Sequence, residues 1–470
     1  WKSESDILKG LTAAYAGLQP TIEWAQPFER YIVIDNYRSD ELDYRPDVTA
    51  WMELAMYNNE STNYVPNDEW TNLYTSINYC NQCLDNIPNV PDNDDEGIKQ
   101  TKATSIAEAR FLRAFYYYRL FINFGERLPM FEHELEGTEE EFYPPQVEAG
   151  RLKTFIETEL SECQANLPEK WNTNMAGRVT KYTAAALLGK YYMFIGEKAK
   201  AKTEFWKVID SHRYELMENY GDNFNGLHEN NKESILEVQF TGSLEGGHYE
   251  YNLFTLHLGP DSGCGAYEEA YPSKWLFNTL KKDTEDGEYS DRLYETIIFD
   301  DPKSRPFYYE DGKGFSDYHQ EDNIYWRKYV TYDKSLGDYW DYSGFNIPLI
   351  RYADILLLYA ECLNDEGNSK EAIKYINKVR DRVHVTPLSD TLSKEQVLKH
   401  LQDVERPCEL ALEGSRWYDL IRWGIVEDAL KSHEKPFASN FISTKHIRLA
   451  IPHKEFLMNP DWVQNEGYTK

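Results

Sequence analysis

The sequence predicts a mainly α-helical fold of tetratricopeptide-like helix pairs that carry long irregular segments and short β hairpins. Two observations predict it. Apolar residues recur at helical spacing through residues 69–87, 101–125, 149–166, 180–210, 352–383 and 393–432, and the period fails between these groups. There is also an internal echo: Gly196, Ala201, Phe205 and Val208 share the spacing of Gly367, Ala372, Ile376 and Val379, each set following an apolar helix. A glycine turn, a small Ala at a close crossing and a larger apolar residue four positions on are what paired helices use to pack ridges into grooves. A generic helical hairpin would show the same spacing. The chain is expected to form one domain over residues 1–470, its helical scaffold spanning about 69–210 and 346–433.

Along the chain, the excursions at about 26–66 and 211–345 are dense in Gly, Pro, Asn, Asp and Tyr, with only short strand-like runs such as Ile235 to Phe240. Segments of that length are functional or disordered, and their aromatic richness argues against disorder. Cys80 and Cys83 lie inside a helical pattern, so the pair reads as two thiols on a helix face and not as a redox or zinc motif. Asp283 to Gly287 resembles half of a calcium loop, but Tyr294 stands where the bidentate Glu should be, which predicts an acidic surface loop.

Composition narrows the partners. A formal charge of -30 argues against nucleic acid or anionic lipid. Twelve Trp, 36 Tyr and 21 Phe exceed what a core asks for, and Tyr and Trp suit surfaces that are half apolar and half wet. No apolar run approaches the roughly 18 residues of a membrane span. The sequence opens at Trp1 without an initiator Met, so a removed upstream signal segment is expected. No GxSxG, HExxH, Walker A or GxGxxG pattern occurs. With 80 Asp and Glu, some carboxylate pair will fall at a glycosidase separation by chance, so acidity is no sign of catalysis. No cofactor, metal ligand or catalytic residue is expected.

The segment from Glu409 to Gly424 alternates Glu409, Glu413, Arg416, Asp419 and Arg422 with Leu410, Trp417, Leu420 and Trp423. On one continuous helix, Glu413 with Arg416, Arg416 with Asp419, and Asp419 with Arg422 would be neighbours. Beside two tryptophans, such a chain of ion pairs reads as architecture that docks the helix on its neighbours, including Arg351 and Asp354. The same reading applies to Arg110, Arg113, Arg178 and Lys181.

Seven segments stand in order: Trp70 to Asn81; Ala109-Arg110-Phe111-Leu112-Arg113-Ala114; Phe124-Gly125 with Leu128-Pro129; Gly177 to Lys181; Arg351 to Asp354 with Tyr359 to Glu361; Glu405-Arg406 through Trp423-Gly424; and Pro452 through Tyr468. Together they resemble the SusD/RagB family of outer-membrane nutrient-binding lipoproteins. The resemblance implies a SusD-like superhelix of four tetratricopeptide-like pairs and a non-catalytic surface protein that captures oligosaccharide or polysaccharide. It also implies a lipidated N-terminal cysteine and a partner, a SusC-like TonB-dependent transporter. A peptide- or glycopeptide-binding RagB-like protein is the alternative, and a glycoside hydrolase the third.

The family's ligand residues have no motif, so the candidates rest on chemistry and region. A sugar ring offers apolar faces and a hydroxyl rim, which asks for flat aromatic platforms flanked by Asn, Asp, Arg or Gln. In the first excursion these are Tyr44, Arg45, Trp51, Tyr57 and Asn58; in the second, Tyr267, Tyr308, Tyr309, Asp338, Trp340 and Tyr342. Trp51 and Trp340 lead, the latter between Gly337 and Gly344, which would let a loop lift its aromatics into solvent. Trp275 and Trp326, in framework-like stretches, are expected to pack.

Overall fold

Four amphipathic helices build the first of two compact units: α1 (Glu4–Ala16), α2 (Tyr64–Asn86), α3 (Glu96–Phe124) and α4 (Arg151–Cys163). The computed structural model describes every residue except 21–25, 136, 138–141, 243–249 and 333–341. This unit comprises Trp1–Trp24, Tyr57–Tyr191 and Asn440–Lys470. Helix α3 is its axis, since α1, α2 and α4 all pack on it. Asp95 caps α3 by accepting from the backbone N–H groups of Gly97 and Ile98, and Asn63 caps α2 in the same way through Val65. Helix α1 begins with a Ser3 and Asp6 capping box that periodicity alone did not single out. Arg113 donates to Glu159 (2.7 Å) and Asn81 (2.9 Å), Arg110 pairs with Glu159 (3.0 Å), and Arg178 meets Glu108 (2.8 Å). These arginines are therefore joints between helices. Cys80 and Cys83 are both buried on α2.

The second unit comprises Ala25–Met56 and Tyr192–Ser439. Helix α5 (Lys181–Phe194), which belongs to the first unit as far as Tyr191, is followed in the second by α6 (Lys198–Asp210), then, after the long excursion, by α7 (Tyr352–Asp365) and α8 (Ser369–Arg382). Helix α7 packs on both α6 and α8. The echo is real at the level of the turn. After α7, the N–H of Gly367 donates to Asn364 O (3.0 Å) and that of Asn368 to Leu363 O (2.9 Å). After α5, Gly196 N–H reaches Met193 O (3.3 Å) and Glu197 N–H reaches Tyr192 O (2.8 Å). Both are Schellman turns with glycine left-handed, at φ 84° and 82°. A Cβ on Gly367 would meet nothing within 4 Å, so Gly367→Ala tests the backbone term alone. A loss of about 1 kcal/mol in unfolding free energy is expected by urea titration.

Among the described residues there are four two-stranded antiparallel sheets, built mostly from the excursions. Their strands are β1 (Leu42–Tyr44), β2 (Ser234–Val238), β3 (Ala270–Pro272), β4 (Thr284–Glu285), β5 (Glu288–Tyr289), β6 (Ile297–Ile298), β7 (Tyr325–Trp326) and β8 (Ile347–Arg351). They pair as β1 with β3, β2 with β8, β4 with β5 and β6 with β7. The Asp283 to Gly287 segment is the β4–β5 hairpin, whose two turn residues, Asp286 and Gly287, both have positive φ (51° and 85°). Its Asp283 is tied to Arg380 (2.7 Å). The first excursion is less irregular than expected: Glu29–Ile34 forms a π-helix and Thr49–Ala55 an α-helix.

A continuous helix through residues 409–424 is expected, and here the structure differs. The chain breaks between the short helix Arg406–Glu409 and the helix Arg416–Trp423, with Leu412 and Gly414 at φ 63° and 71°. The break persists because its freed backbone donors find partners: Leu412 N–H meets Glu41 (3.2 Å) and Gly414 N–H meets Asn36 (3.0 Å). Of the expected neighbour pairs, only Asp419 with Arg422 (2.8 Å) forms as expected. Arg416 turns to Asp40 (2.7 Å), while Glu413 meets Arg351 (2.7 Å) and Lys328 (2.8 Å). Glu409 joins Arg351 (3.1 Å), Arg292 (3.2 Å) and Arg382, and Arg406 bridges Asp354 (2.7 Å) and Asp419 (2.6 Å). The charges are architecture, but across the fold and not along a helix.

Candidate functional site

Three segments far apart in sequence meet in the second unit. Strand β1 ends at Tyr44 opposite Ala270 of β3, which carries Arg45 out beside the loop from Pro260 to Glu269. Arg45 N–H donates to Glu269 O (2.9 Å), and its guanidinium reaches Tyr267 O (2.7 Å) and the Asp47 carboxylate (2.7 Å). That loop in turn meets the segment from Arg305 to His319. Ser262 Oγ lies 3.1 Å from His319 Nδ1, and Tyr308 Oη lies 2.9 Å from His319 Nε2. Gly263, at φ 87°, lies so close to the Tyr318 and Tyr308 rings that a Cβ would stand 2.8 and 3.1 Å from them. Burial lowers His319 to about 4, so it is neutral at pH 7 and acts as a polar strut between loop and ring.

Aromatic faces follow from this packing. Tyr309 and Tyr318 stack at 4.9 Å and 11°, with the Arg305 guanidinium 5.7 Å from the Tyr309 centroid. Tyr267 is 42% exposed and stands edge-on to His257 at 5.6 Å. Burial depresses His257 to about 3, which leaves a neutral ring as its support. Tyr308 is packed against Ile298, Phe315 and Tyr325, so it serves the base of the surface. Tyr44 is half-buried, its ring near Tyr37 (6.1 Å) and the Lys435 ammonium (5.8 Å). Tyr342, also 42% exposed, crosses Tyr251 at 4.6 Å.

Two expectations are corrected. Trp51 is 4% exposed: it sits in Thr49–Ala55, donates its indole N–H to Glu29 (2.8 Å) and packs on Phe28 (5.2 Å) and His257 (5.5 Å). It is a second-layer ring beneath the His257 on which Tyr267 rests, because a helix rather than a loop carries it. Tyr57 is 3% exposed and packs on Phe441 (5.4 Å) and His446 (5.8 Å) in the first unit; Asn58 beside it is exposed there. Neither ring can offer a face to a ligand. Asp338 and Trp340 lie outside the described residues. Trp326 is fully buried as expected, and Trp275 stacks on His433 at 3.9 Å. Sequence reasoning missed Tyr318, His319 and Ser262; the doublet Tyr318-His319 following Tyr308-Tyr309 was the available signal.

The first unit holds a cavity of about 350 Å³ walled by Trp70, Tyr74, Phe131, Phe142 and Trp462. Its rings meet at steep angles, 54° between Trp70 and Tyr74 and 83° between Tyr74 and Phe131. Tyr74 donates to Pro129 O (2.9 Å) and Trp462 to Pro144 O (3.2 Å), so these polar tips are spent on backbone. Its lining also carries Thr71, Thr75, Asn78, Lys454 and Glu455, but the rings named here form no stacked flat pair like that of Tyr309 and Tyr318. Among the described residues, no cluster of three or more His, Cys, Asp or Glu could hold a metal ion.

Residues 6–193 match a family described as starch-binding and associating with the outer membrane, and residues 232–468 match the SusD family. The chain belongs to the SusD family. As a SusD-family chain it resembles the SusD-like protein P25 of Formosa agariphila, with 27% identity over 85% of this chain and 79% of that one. A SusD superfamily protein of Bacteroides vulgatus shares its fold, with a TM-score of 0.88, 24% identity and full coverage of both chains. A laminarin-binding SusD-like protein superposes over both full chains with a TM-score of 0.81 at 26% identity. SusD-like neighbours of this kind carry the mainly helical architecture. No described helix is long and apolar enough to cross a membrane.

Proposed function

We propose that this SusD-family chain is a non-catalytic surface protein that captures oligosaccharide on the Tyr267 surface. The observation that carries this reading is the convergence of an open Tyr267 ring, the stacked Tyr309 and Tyr318 rings, and the polar Arg45 and Ser262 on one set of loops. Flat rings flanked by directed donors and acceptors are what a pyranose asks for. A similar chain described as laminarin-binding supports carbohydrate as the ligand class. Trp340 and Asp338 stay in the proposed ligand set on their chemistry, as do Tyr44, Tyr308 and Tyr342 as lesser members. Family membership supports the wider setting: the chain is held at the outer membrane by a lipidated cysteine upstream and hands its cargo to a SusC-like TonB-dependent transporter.

Calorimetry with neutral oligosaccharides of increasing length, laminarin fragments included, tests the reading. Each ring contributes on the order of 1 kcal/mol, so Tyr267→Ala and Tyr309→Ala are each expected to weaken binding about fivefold. Affinity should rise with chain length up to the span of the surface. Silence from every sugar, or variants that bind like the parent, would reject it. Co-purification of a transporter from outer membranes tests the delivery step.

A further inference from the structure

We infer that the Tyr267 surface selects uncharged glycans over uronate- or sulfate-bearing ones, and that the Arg45–Asp47 pair sets this preference; the inference rests on the oligosaccharide reading above. An anionic sugar needs a cation with a free face. The exposed guanidinium of Arg45 is already engaged: Nε meets Asp47 at 2.7 Å and Nη1 donates to Tyr267 O at 2.7 Å. Arg305 spends Nη1 on Lys313 O (2.7 Å) and Nη2 on Glu310 O (3.1 Å). Two further cations are paired, Lys313 with Asp317 (3.4 Å) and Lys303 with Glu288 (3.1 Å).

Carboxylates meanwhile crowd the same place. Asp261 and Glu268 lie on one loop, the Asp261 N–H donating to Glu268 (3.3 Å), and Glu269 follows directly. Burial first, and then the Asp47 carboxylate, push the Glu269 carboxyl up to about 8; burial also raises Glu268. Beyond burial, Asp47 raises Glu269 and Asp261 raises Glu268, so these carboxylates stand close enough to oppose one more negative charge. A uronate would have either to displace Asp47 from Arg45 or to sit unpaired beside Glu268 and Asp261. A neutral hydroxyl meets neither obstacle, and it gains from the acceptors that repel a carboxylate. The formal charge of -30 adds a long-range bias in the same direction.

The test compares neutral hexasaccharides (gluco-, manno- and xylo-) with hexamers of galacturonate and mannuronate by calorimetry at one fixed salt concentration. The parent is expected to bind the best neutral chain at least about tenfold tighter than either uronate. Asp47→Asn frees the Arg45 fork and removes one carboxylate, so it should narrow that ratio about fivefold or more, through gained uronate affinity that fades as salt is raised. Asp390→Asn removes the same charge from an exposed surface pair with Lys370 and should leave the ratio where it was. A parent that binds uronate as tightly as the neutral chains, or Asp47→Asn with an unchanged ratio, overturns the selectivity while leaving sugar binding intact. Absence of heat from every hexamer overturns the oligosaccharide reading and this inference with it.

Discussion

Glu409→Ala is expected to lower the unfolding free energy by about 3–5 kcal/mol, read as a shifted urea midpoint at unchanged slope. Its carboxylate is fully buried among Arg292, Arg351 and Arg382. Burial alone would raise the carboxyl, yet the guanidiniums of Arg382, Arg292 and Arg351 hold it below its ordinary value. Removing it leaves three buried cations to share Glu233, Glu405 and Glu413. The loss comes mostly from those uncompensated charges, because an intact buried pair contributes little over a well-packed apolar one. The exposed Lys370–Asp390 pair, at the same 2.7 Å separation as the buried Arg416–Asp40 pair, makes the contrast. Lys370→Ala should leave the urea midpoint essentially where it was, since both partners keep most of their hydration.

Glu41→Gln is expected to stabilise the protein at alkaline pH. Glu41 is fully buried, and burial first, then its neighbour Asp40, push its carboxyl from 4.5 up to about 8. One oxygen accepts from Leu412 N–H (3.2 Å), while the other is buried with no hydrogen-bond partner among the described residues. A carboxyl raised in the folded state favours folding while it is protonated in both states, below about pH 4.5. That contribution is lost as pH climbs through 4.5 toward the folded value of about 8. Glutamine keeps the acceptor for Leu412 and cannot ionise. The variant should therefore match the parent near pH 4 and exceed it above pH 8 by on the order of 4 kcal/mol. Urea midpoints measured from pH 4 to 9 check this; parallel curves for the two proteins would refute it. Asp40 behaves oppositely: Arg416 overcomes its burial and holds it well below the usual carboxylate range, so its contribution disappears only in strong acid.

The helical pairs were legible because their signals are local. Gly196 and Gly367 announced their turns, and Ala201, Phe205, Ala372 and Ile376 announced the faces that are now buried. Helix α1 went unread although its 13 residues match the length of α4, and the Ser3 and Asp6 capping box was its available signal. The break at Leu412 and Gly414 escaped for a physical reason. The stretch reads as helix, and only donors satisfied by Asn36 and Glu41, more than 370 residues away, hold it open.

The aromatic candidates divide along the same line. Tyr267 proved open, whereas Trp51 and Tyr57 proved buried, although all three stand in stretches of similar composition. Composition counts rings, but whether a ring faces water depends on what the rest of the chain lays over it. Local spacing alone settled where the paired helices run and the glycine turns that join them, since these depend on residues three or four apart. Folding in three dimensions chose the partners of those charges, as with Arg416 and Asp40, 376 positions apart. It also chose which rings remain free to meet a ligand, because burial is a property of the packed whole and no window of sequence contains it.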